Sequence, residues 1–305
     1  MAQYSFAIVS DIHVKSSGQV QPAFVEVCRQ LAALQPRFVV MGGDATVGNE
    51  RDGVPQDKVI GWWRSLRQAM APLTEAGIPI LPIAGNHDYY TDAQRQGYAA
   101  SWASTADDVA ALAVLGGKPP LYYSFLLDDV YYLFLHVVDQ DLESRVEAFA
   151  KQELASEAAQ GAALRLAFGH VPLVSMMGRT NQDFCNQLGG LLAAGGVSAY
   201  FSGHEHLVWD QALAFGERLL RQVHVGTASG CYHFPLNERT YSTHCEGSSG
   251  KLPYTGKPFK LGPGTRQQLD EVTVTWVTIT SNEMGTTYDV QPLALRDGQL
   301  VEFGC

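Results

Sequence analysis

Five short clusters of aspartate, asparagine and histidine stand out in the 305-residue sequence. In chain order they are Asp11-Ile12-His13, Gly42-Gly43-Asp44, Gly85-Asn86-His87-Asp88, Gly169-His170 and Gly203-His204-Glu205-His206. Imidazole nitrogens combined with carboxylate oxygens suit borderline divalent metals. Two such cations would carry more charge than two aspartates neutralise, so they would attract a phosphate ester, and a hydroxide between them would be a nucleophile at neutral pH. The clusters therefore predict a dinuclear centre that hydrolyses phosphate esters.

Each cluster directly follows a predicted strand. Strands at 4–10, 37–41 and 78–83 alternate with two amphipathic helices, which predicts a βαβαβ unit with a parallel sheet. Further strands are predicted at 164–168 and 197–201. Loops beyond the carboxyl ends of strands in an open sheet converge on one crevice. In extended segments, side chains two residues apart point the same way. The pair Asp11 and His13 can therefore bind one ion, and so can the pair His204 and His206.

The remaining sequence predicts one domain over residues 1–305, because it shows no repeat and no linker. A hairpin is expected from strands 121–127 and 130–138, helices at 141–160 and 184–194, a strand at 219–225, and an antiparallel pair at 271–280 and 286–295. Two long stretches fit this pattern poorly. Residues 89–120, with a helix near 107–115, and residues 230–269 are predicted to be cap or lid insertions.

The five clusters, in this order, resemble the signature of the calcineurin-like metallophosphoesterase superfamily, D-x-H, G-D, G-N-H-D/E, G-H and G-H-x-H, over about residues 5–210. This resemblance implies an α+β sandwich within the α/β class, with two mixed β-sheets flanked by helices in four layers. It also implies a first metal held by Asp11, His13, Asp44 and His206. Asp44 would bridge to a second metal held by Asn86, His170 and His204.

The same resemblance implies that His87 is not a ligand. It would contact the phosphoryl group and protonate or stabilise the leaving oxygen, while Asp88 orients its ring. Purple acid phosphatases have an iron-binding tyrosine three residues after the bridging aspartate, and Val47 occupies that position here. Pairs of Mn, Zn or Fe(II) are therefore expected rather than a charge-transfer Fe(III) centre.

The expected reaction is in-line attack of a metal-bridging hydroxide on a small phosphate ester, without a covalent enzyme intermediate. No cluster of lysine and arginine adjoins the motifs, which slightly favours a phosphodiester, cyclic-nucleotide-like or otherwise small. A phosphomonoesterase is the alternative, and a nuclease the third choice. A non-catalytic scaffold with this fold belongs to a different class, and it is disfavoured because every ligand position is filled.

Composition limits the partners. The chain has 21 Lys+Arg against 31 Asp+Glu, a formal net charge of −10, which argues against gripping duplex nucleic acid. Apolar residues make up 46% of the chain and can form a large core, yet no apolar run approaches the roughly 18–20 residues of a membrane span. The five cysteines form no CxxC pair, and the N-terminus enters a strand directly. Reduced thiols in the cytoplasm are expected, although a chain with its signal peptide removed would begin the same way.

Residues outside the clusters are expected to play lesser roles. His136 and His224 lie in apolar strands and are predicted to be structural. The alternative for His136, which ends its strand, is a position next to the metal ligands. Arg179 either contacts phosphate or is solvated, and His233 and His244 either contact substrate or lie at the surface. The predicted core includes Trp62, Trp63 and Trp102.

Overall fold

The computed structural model describes residues 2–48, 53–110, 112, 114–175, 180–229, 254–256 and 271–303. The strands are β1 (Ala2–Val9), β2 (Val39–Met41), β3 (Ile80–Pro82), β4 (Val114–Lys118), β5 (Tyr122–Leu127), β6 (Val130–Phe134), β7 (Leu164–Phe168), β8 (Ala199–Ser202), β9 (Val208–Phe215), β10 (Arg218–Val225), β11 (Tyr254–Gly256), β12 (Thr273–Asn282), β13 (Gly285–Arg296) and β14 (Gln299–Glu302). The helices are α1 (Pro22–Leu34), α2 (Gln56–Ala69), α3 (Ala71–Glu75), α4 (Asp92–Ser101), α5 (Thr105–Ala110), α6 (Ser144–Leu154), α7 (Glu157–Gly161), α8 (Gln182–Phe184) and α9 (Gly190–Ala194).

Two mixed sheets contain these strands. The first has the order β14-β13-β12-β1-β2-β3, in which β1, β2 and β3 are parallel, as the βαβαβ pattern predicts. The second has the order β11-β9-β10-β8-β7-β6-β5-β4, with β6, β7, β8 and β10 parallel. The C-terminal strand β12 pairs antiparallel with β1, so the last described part of the chain completes the first sheet.

Helix α1 shows how local sequence sets an element. Pro22 occupies its first turn, where a missing N–H costs nothing, and its buried residues recur at three- and four-residue steps. They are Phe24, Val27, Cys28 and Leu31. The helix ends where Gln35 adopts a left-handed backbone immediately before Pro36, which cannot continue the helix. The buried face packs on the first sheet.

An aromatic layer separates the two sheets. Alternate residues of β1 face opposite sides, so Phe6 and Ile8 enter this layer while Ala7 and Val9 face the helices. Phe6 stacks on Phe38, the residue just before β2, at 4.8 Å and meets Phe168 of the second sheet edge-on at 6.0 Å. The outer faces are covered by α1 and α2 on one side and by α6 and α9 on the other. The result is helix, sheet, sheet, helix, which confirms the four-layer fold.

Several details differ from the sequence prediction. Strands β9 and β14 were not predicted, and the helix expected near 107–115 is α5 followed by the edge strand β4. Helix α4 packs on α2. Apart from 254–256, the stretch 230–269 lies outside the described residues, and the single domain and both lids remain predictions. Among the helices described, none is both long and apolar enough to cross a membrane.

Candidate metal centre

The five clusters meet where the carboxyl ends of strands from both sheets adjoin. Loops after β1, β2 and β3 of the first sheet carry Asp11, His13, Asp44 and Asn86. Loops after β7 and β8 of the second sheet carry His170, His204 and His206. The prediction that the loops of one open sheet form the crevice was therefore wrong, because loops of two sheets form it.

A first group of donor atoms comes from Asp11, His13, Asp44 and His206, and these atoms lie within 4.8 Å of one another. Nε2 of His13 is 3.0 Å from Nε2 of His206 and 3.8 Å from Oδ2 of Asp44. Nε2 of His206 is 3.2 Å from Oδ1 of Asp11. Two imidazoles and two buried carboxylates therefore face one point.

A second group comes from Asp44, His170 and His204, again within 4.8 Å. Nε2 of His170 is 3.2 Å from Oδ2 of Asp44. Asn86 completes the group, since its Oδ1 is 3.1 Å from Nε2 of His170 and 2.9 Å from Nδ1 of His204. The Asn86 amide donates to the Tyr90 hydroxyl, which keeps the amide oxygen turned toward the histidines. Asp44 is common to both groups.

Strained backbone is concentrated in these loops. Among the described residues, eight non-glycine residues have positive φ, and five of them are predicted ligands. These are Asp11 (φ 55°), His13 (49°), Asp44 (49°), His204 (71°) and His206 (55°). Such conformations cost energy and gather at functional sites. The assumption of extended Asp-x-His and His-x-His segments was therefore wrong, and His204 and His206 fall in different donor groups rather than sharing one.

Two glycines permit the close approach of the loops. A Cβ on Gly85 would lie 2.1 Å from Oδ1 of Asp44. Gly43 has φ +97°, and a Cβ there would lie 2.4 Å from Nδ1 of His170. Any larger residue at either position would displace a predicted ligand, so both positions require glycine.

Hydrogen bonds to the backbone fix the Asp11 turn. Its N–H donates to the Gly43 carbonyl at 3.0 Å, and its own carbonyl accepts from Thr227 Oγ1 at 2.9 Å and Ser229 Oγ at 3.1 Å. Sequence reasoning missed Thr227 and Ser229. The available signal was a pair of hydroxyl residues two apart, directly after the predicted strand 219–225.

The charges of the site compensate one another. Burial raises the pKa of Asp44, but the nearby His170 and His13 outweigh it and hold the pKa well below its usual range. Burial lowers the pKa of His170, yet the Asp44 carboxylate more than offsets this and raises it to about 9. Nδ1 of His170 donates to the Gly42 carbonyl at 2.8 Å, so Nε2 is the atom that would bind a metal in place of a proton.

His13 and His204 are suited to bind a metal as neutral imidazoles. Burial lowers the pKa of His13 to about 3 and that of His204 to about 4. Burial also raises the pKa of Asp11, but His206 outweighs it and the pKa is lowered. Ionised carboxylates and neutral imidazoles are the protonation states that bind metal. This oxygen and nitrogen donor set therefore fits two borderline divalent ions.

His87 and Asp88 lie beside the metal-facing atoms. The His87 N–H donates to Oδ1 of Asp44 at 2.8 Å, its ring Nδ1 donates to the Val47 carbonyl, and its ring lies edge-on to His13 at 4.8 Å. The predicted contact between Asp88 and the His87 ring needs correction. Both Asp88 oxygens instead accept hydrogen bonds from the loops after β2 and β3, from Ala45 N, Thr46 N, Thr46 Oγ1 and Gly85 N.

The remaining predicted residues take structural positions where they are described. His136 is buried against Tyr89, with ring centroids 4.4 Å apart, and its Nδ1 lies 3.4 Å from Glu143. His224 is buried in β10. The three tryptophans belong to the core. Arg179, His233 and His244 lie outside the described residues. Of the cysteines that are described, Cys28 and Cys185 are both buried thiols.

Three solved structures have a fold similar to that of this chain. The chain matches a purple acid phosphatase, PPD1, from yellow lupin (Lupinus luteus) seeds at TM-score 0.62 and 13% identity, covering 99% of this chain and 53% of that one. It therefore spans about half of the lupin protein. A dimetal phosphatase from Danio rerio matches at TM-score 0.53 and 13% identity, covering 73% and 87%.

A third structure, GAP50, the anchor in the inner membrane complex of Plasmodium, matches at TM-score 0.55 and 12% identity, covering 99% of this chain and 87% of that chain. No curated protein matches the chain. Residues 4–208 match the model of the calcineurin-like phosphoesterase family, and this range contains all five clusters. The chain therefore belongs to the calcineurin-like phosphoesterase family.

Proposed function

We propose that this chain hydrolyses phosphate esters with two divalent ions, Mn, Zn or Fe, and that it prefers small diesters to monoesters. The observation that carries the proposal is the position of Asp44. Its Oδ2 lies 3.8 Å from Nε2 of His13 in the first donor group and 3.2 Å from Nε2 of His170 in the second. A carboxylate between two nitrogen-rich groups is suited to bridging two nearby ions.

The protein would hold one ion with Asp11, His13, Asp44 and His206, and the other with Asp44, Asn86, His170 and His204. When bound, the ions supply Lewis acidity that polarises the phosphoryl group and acidifies the attacking water. Ligands from both sheets limit how far the two donor groups can move apart. Burial of Asp11 and Asp44 reduces competing hydration, which strengthens electrostatic interactions in the site.

His87 is the proposed proton donor to the leaving oxygen. Because its Nδ1 donates to the Val47 carbonyl, Nε2 is the ring nitrogen that would exchange a proton with the ester. Its backbone N–H, bonded to Asp44, keeps the residue next to the bridging carboxylate. Asp88 supports this arrangement indirectly, by holding the loops together.

The preference for diesters rests on charge. A monoester carries more negative charge than a diester and favours an additional cationic clamp. Within the described residues, the partners that lower the pKa of Asp11 and Asp44 are histidines. The formal net charge of −10 also weighs against long polyanions, which disfavours a nuclease.

One structural neighbour, GAP50, is named as an anchor, so a scaffold role for this chain is the competing hypothesis. The two classes differ in metal content. A scaffold requires no ions, whereas the proposed enzyme binds about two equivalents of Mn or Zn per chain. Elemental analysis after dialysis against each metal distinguishes them.

The test of activity is a parallel assay of monoester, diester and cyclic-nucleotide substrates with Mn, Zn, Fe and Ni. Asp44→Asn and His87→Ala are expected to lower turnover by at least about 100-fold while the chain remains folded. Asp128→Asn is the matched control, because Asp128 also has positive φ (51°) but lies in the β5–β6 turn, at the opposite end of β6 from the site. Near-normal rates for His87→Ala on every ester would disprove its role. Faster hydrolysis of monoesters would disprove the diester preference.

A further inference from the structure

The glutamate between two of the site histidines points away from them into a buried polar chain. Glu205 is 8% exposed, and its Oε1 accepts a hydrogen bond from the Ser175 hydroxyl. Its Oε2 lies 3.3 Å from Nδ1 of His224, which is itself fully buried in β10. Burying a carboxylate is costly unless it is paired, so this arrangement requires a compensating benefit.

The hydrogen bonds of Gln222 determine which ring nitrogen of His224 carries the proton. Gln222 accepts from the Val174 N–H and donates to the Val174 carbonyl, both at 2.9 Å, which fixes the orientation of its amide. The same Gln222 Nε2 donates to Nε2 of His224 at 2.8 Å. His224 therefore carries its proton on Nδ1, which lies 3.3 Å from Oε2 of Glu205. Among the described residues this Nδ1–H has no aligned hydrogen-bond acceptor, so its interaction with the Glu205 carboxylate is electrostatic. Burial lowers the pKa of His224 to about 3, consistent with a neutral ring.

This series of buried polar side chains connects the two loops that carry the predicted ligands of the second sheet. Val174 and Ser175 lie in the loop that begins with His170, while Glu205 lies in the loop of His204 and His206. Both loops are anchored to β10 through Gln222 and His224. We propose that Glu205 and His224 form a positioning pair, which fixes the two histidine loops relative to each other and thereby sets the affinity for the metal ions. This inference rests on the metal-dependent function proposed above.

The expected effect is on metal binding as well as on folding. Replacing a group that orients metal ligands typically weakens metal affinity by about 10–100-fold. Glu205→Ala removes the acceptor of the Ser175 hydroxyl and the negative charge that faces the His224 ring. Glu205→Gln should restore most of the affinity, because its amide oxygen can still face the His224 N–H with a partial negative charge and its NH₂ can donate to a rotated Ser175 hydroxyl.

Glu153 provides a matched control. It is 7% exposed, and its Oε2 accepts hydrogen bonds from Ser124 at 2.5 Å and Tyr131 at 2.6 Å. It is thus a second buried glutamate bonded to a serine, but its partners lie on β5 and β6 rather than in the ligand loops. Glu153→Ala removes the same atoms and leaves comparable donors without an acceptor.

The experiment measures Mn²⁺ and Zn²⁺ affinity and stoichiometry by calorimetry, and the free energy of unfolding by urea, for the wild type, Glu205→Ala, Glu205→Gln and Glu153→Ala. Affinity for at least one ion should fall about 10–100-fold in Glu205→Ala, recover in Glu205→Gln and stay unchanged in Glu153→Ala. Wild-type affinity in Glu205→Ala, or an equal loss in Glu153→Ala, would overturn the inference.

If Glu205→Ala does not fold, Ser175→Ala provides the test. It removes the hydroxyl that donates to Oε1 of Glu205 and should weaken binding several-fold, and unchanged affinity would overturn the inference. A wild-type chain that binds neither Mn²⁺ nor Zn²⁺ would refute the proposed function itself. A wild type that binds two ions, with the Glu205 variants unchanged, would refute only the positioning pair.

Discussion

Replacing Asp88 tests whether this carboxylate holds the site loops together or orients His87. The side chain is 1% exposed, and four donors lie 2.9–3.2 Å from its oxygens. Three of these donors are backbone N–H groups, and the fourth is the Thr46 hydroxyl. The hydroxyl can turn toward another acceptor, whereas the backbone groups cannot.

The magnitudes follow from the number of donors left without an acceptor, each costing about 1–3 kcal/mol when buried. Asp88→Ala leaves three backbone N–H groups without an acceptor, so the free energy of unfolding should fall by about 3 kcal/mol or more. In Asp88→Asn the amide oxygen can keep the hydrogen bonds from the Ala45 and Gly85 N–H groups. The new NH₂ group faces the Thr46 hydroxyl, which then acts as acceptor. Only the Thr46 N–H is lost, at about 1–3 kcal/mol.

The assay is urea unfolding of both variants, with turnover measured at saturating Mn²⁺ under conditions where each is folded. We expect stability in the order wild type, Asp88→Asn, Asp88→Ala, with turnover of Asp88→Asn within about tenfold of wild type, because His87 keeps its contact with Val47. A free energy of unfolding for Asp88→Ala within 1 kcal/mol of wild type would refute the reasoning. So would a stable Asp88→Asn that lost turnover by orders of magnitude, since that result fits a ring-orienting carboxylate.

Two further substitutions test other features. Gly85→Ala should displace Asp44 and abolish the binding of at least one ion, seen by elemental analysis, whereas Gly161→Ala, whose Cβ would meet nothing within 4 Å, should bind ions normally. Burial lowers the pKa of His136 to about 4, below the ~6.5 of an unfolded chain, so its contribution to stability is complete above pH ~6.5 and is lost as the pH falls toward 4. His136→Phe should therefore flatten the fall in unfolding free energy over that range, and an unchanged slope would contradict the assignment.

The parallel β1–β3 unit and the convergence of the candidate ligands could be predicted from local patterns, whereas the two-sheet sandwich was implied only by the resemblance of the motifs to a known family. The apolar periodicity of α1 and the short strand before Asp11 are properties of adjacent residues, and the motifs follow the strands directly. Strand β9 was not predicted because it begins at Val208, only two residues after His206, so its start merges with the motif loop. Strand β14 is short and forms a sheet edge, which weakens the apolar pattern.

The finer arrangement depended on long-range contacts. Asp88 and His87 are neighbours in sequence, but three of the four donors to Asp88 come from a loop more than forty residues earlier. The left-handed backbone at Asp11 and His204 arises where loops from different sheets meet, and neither residue is a glycine that would signal it. The link between Glu205 and His224 likewise appears only when β10 lies beside β8.

Because the candidate ligands come from both sheets, ions held by them would act as removable cross-links across the sandwich. His13 and His206 are separated by 193 positions along the chain, so an ion held by both would close a long loop. Ions that bind only the folded chain stabilise it by about 2.7 kcal/mol at a concentration 100 times the dissociation constant. Folding and metal loading would then be one linked equilibrium, and the lifetime of the protein in a cell would follow the supply of metal.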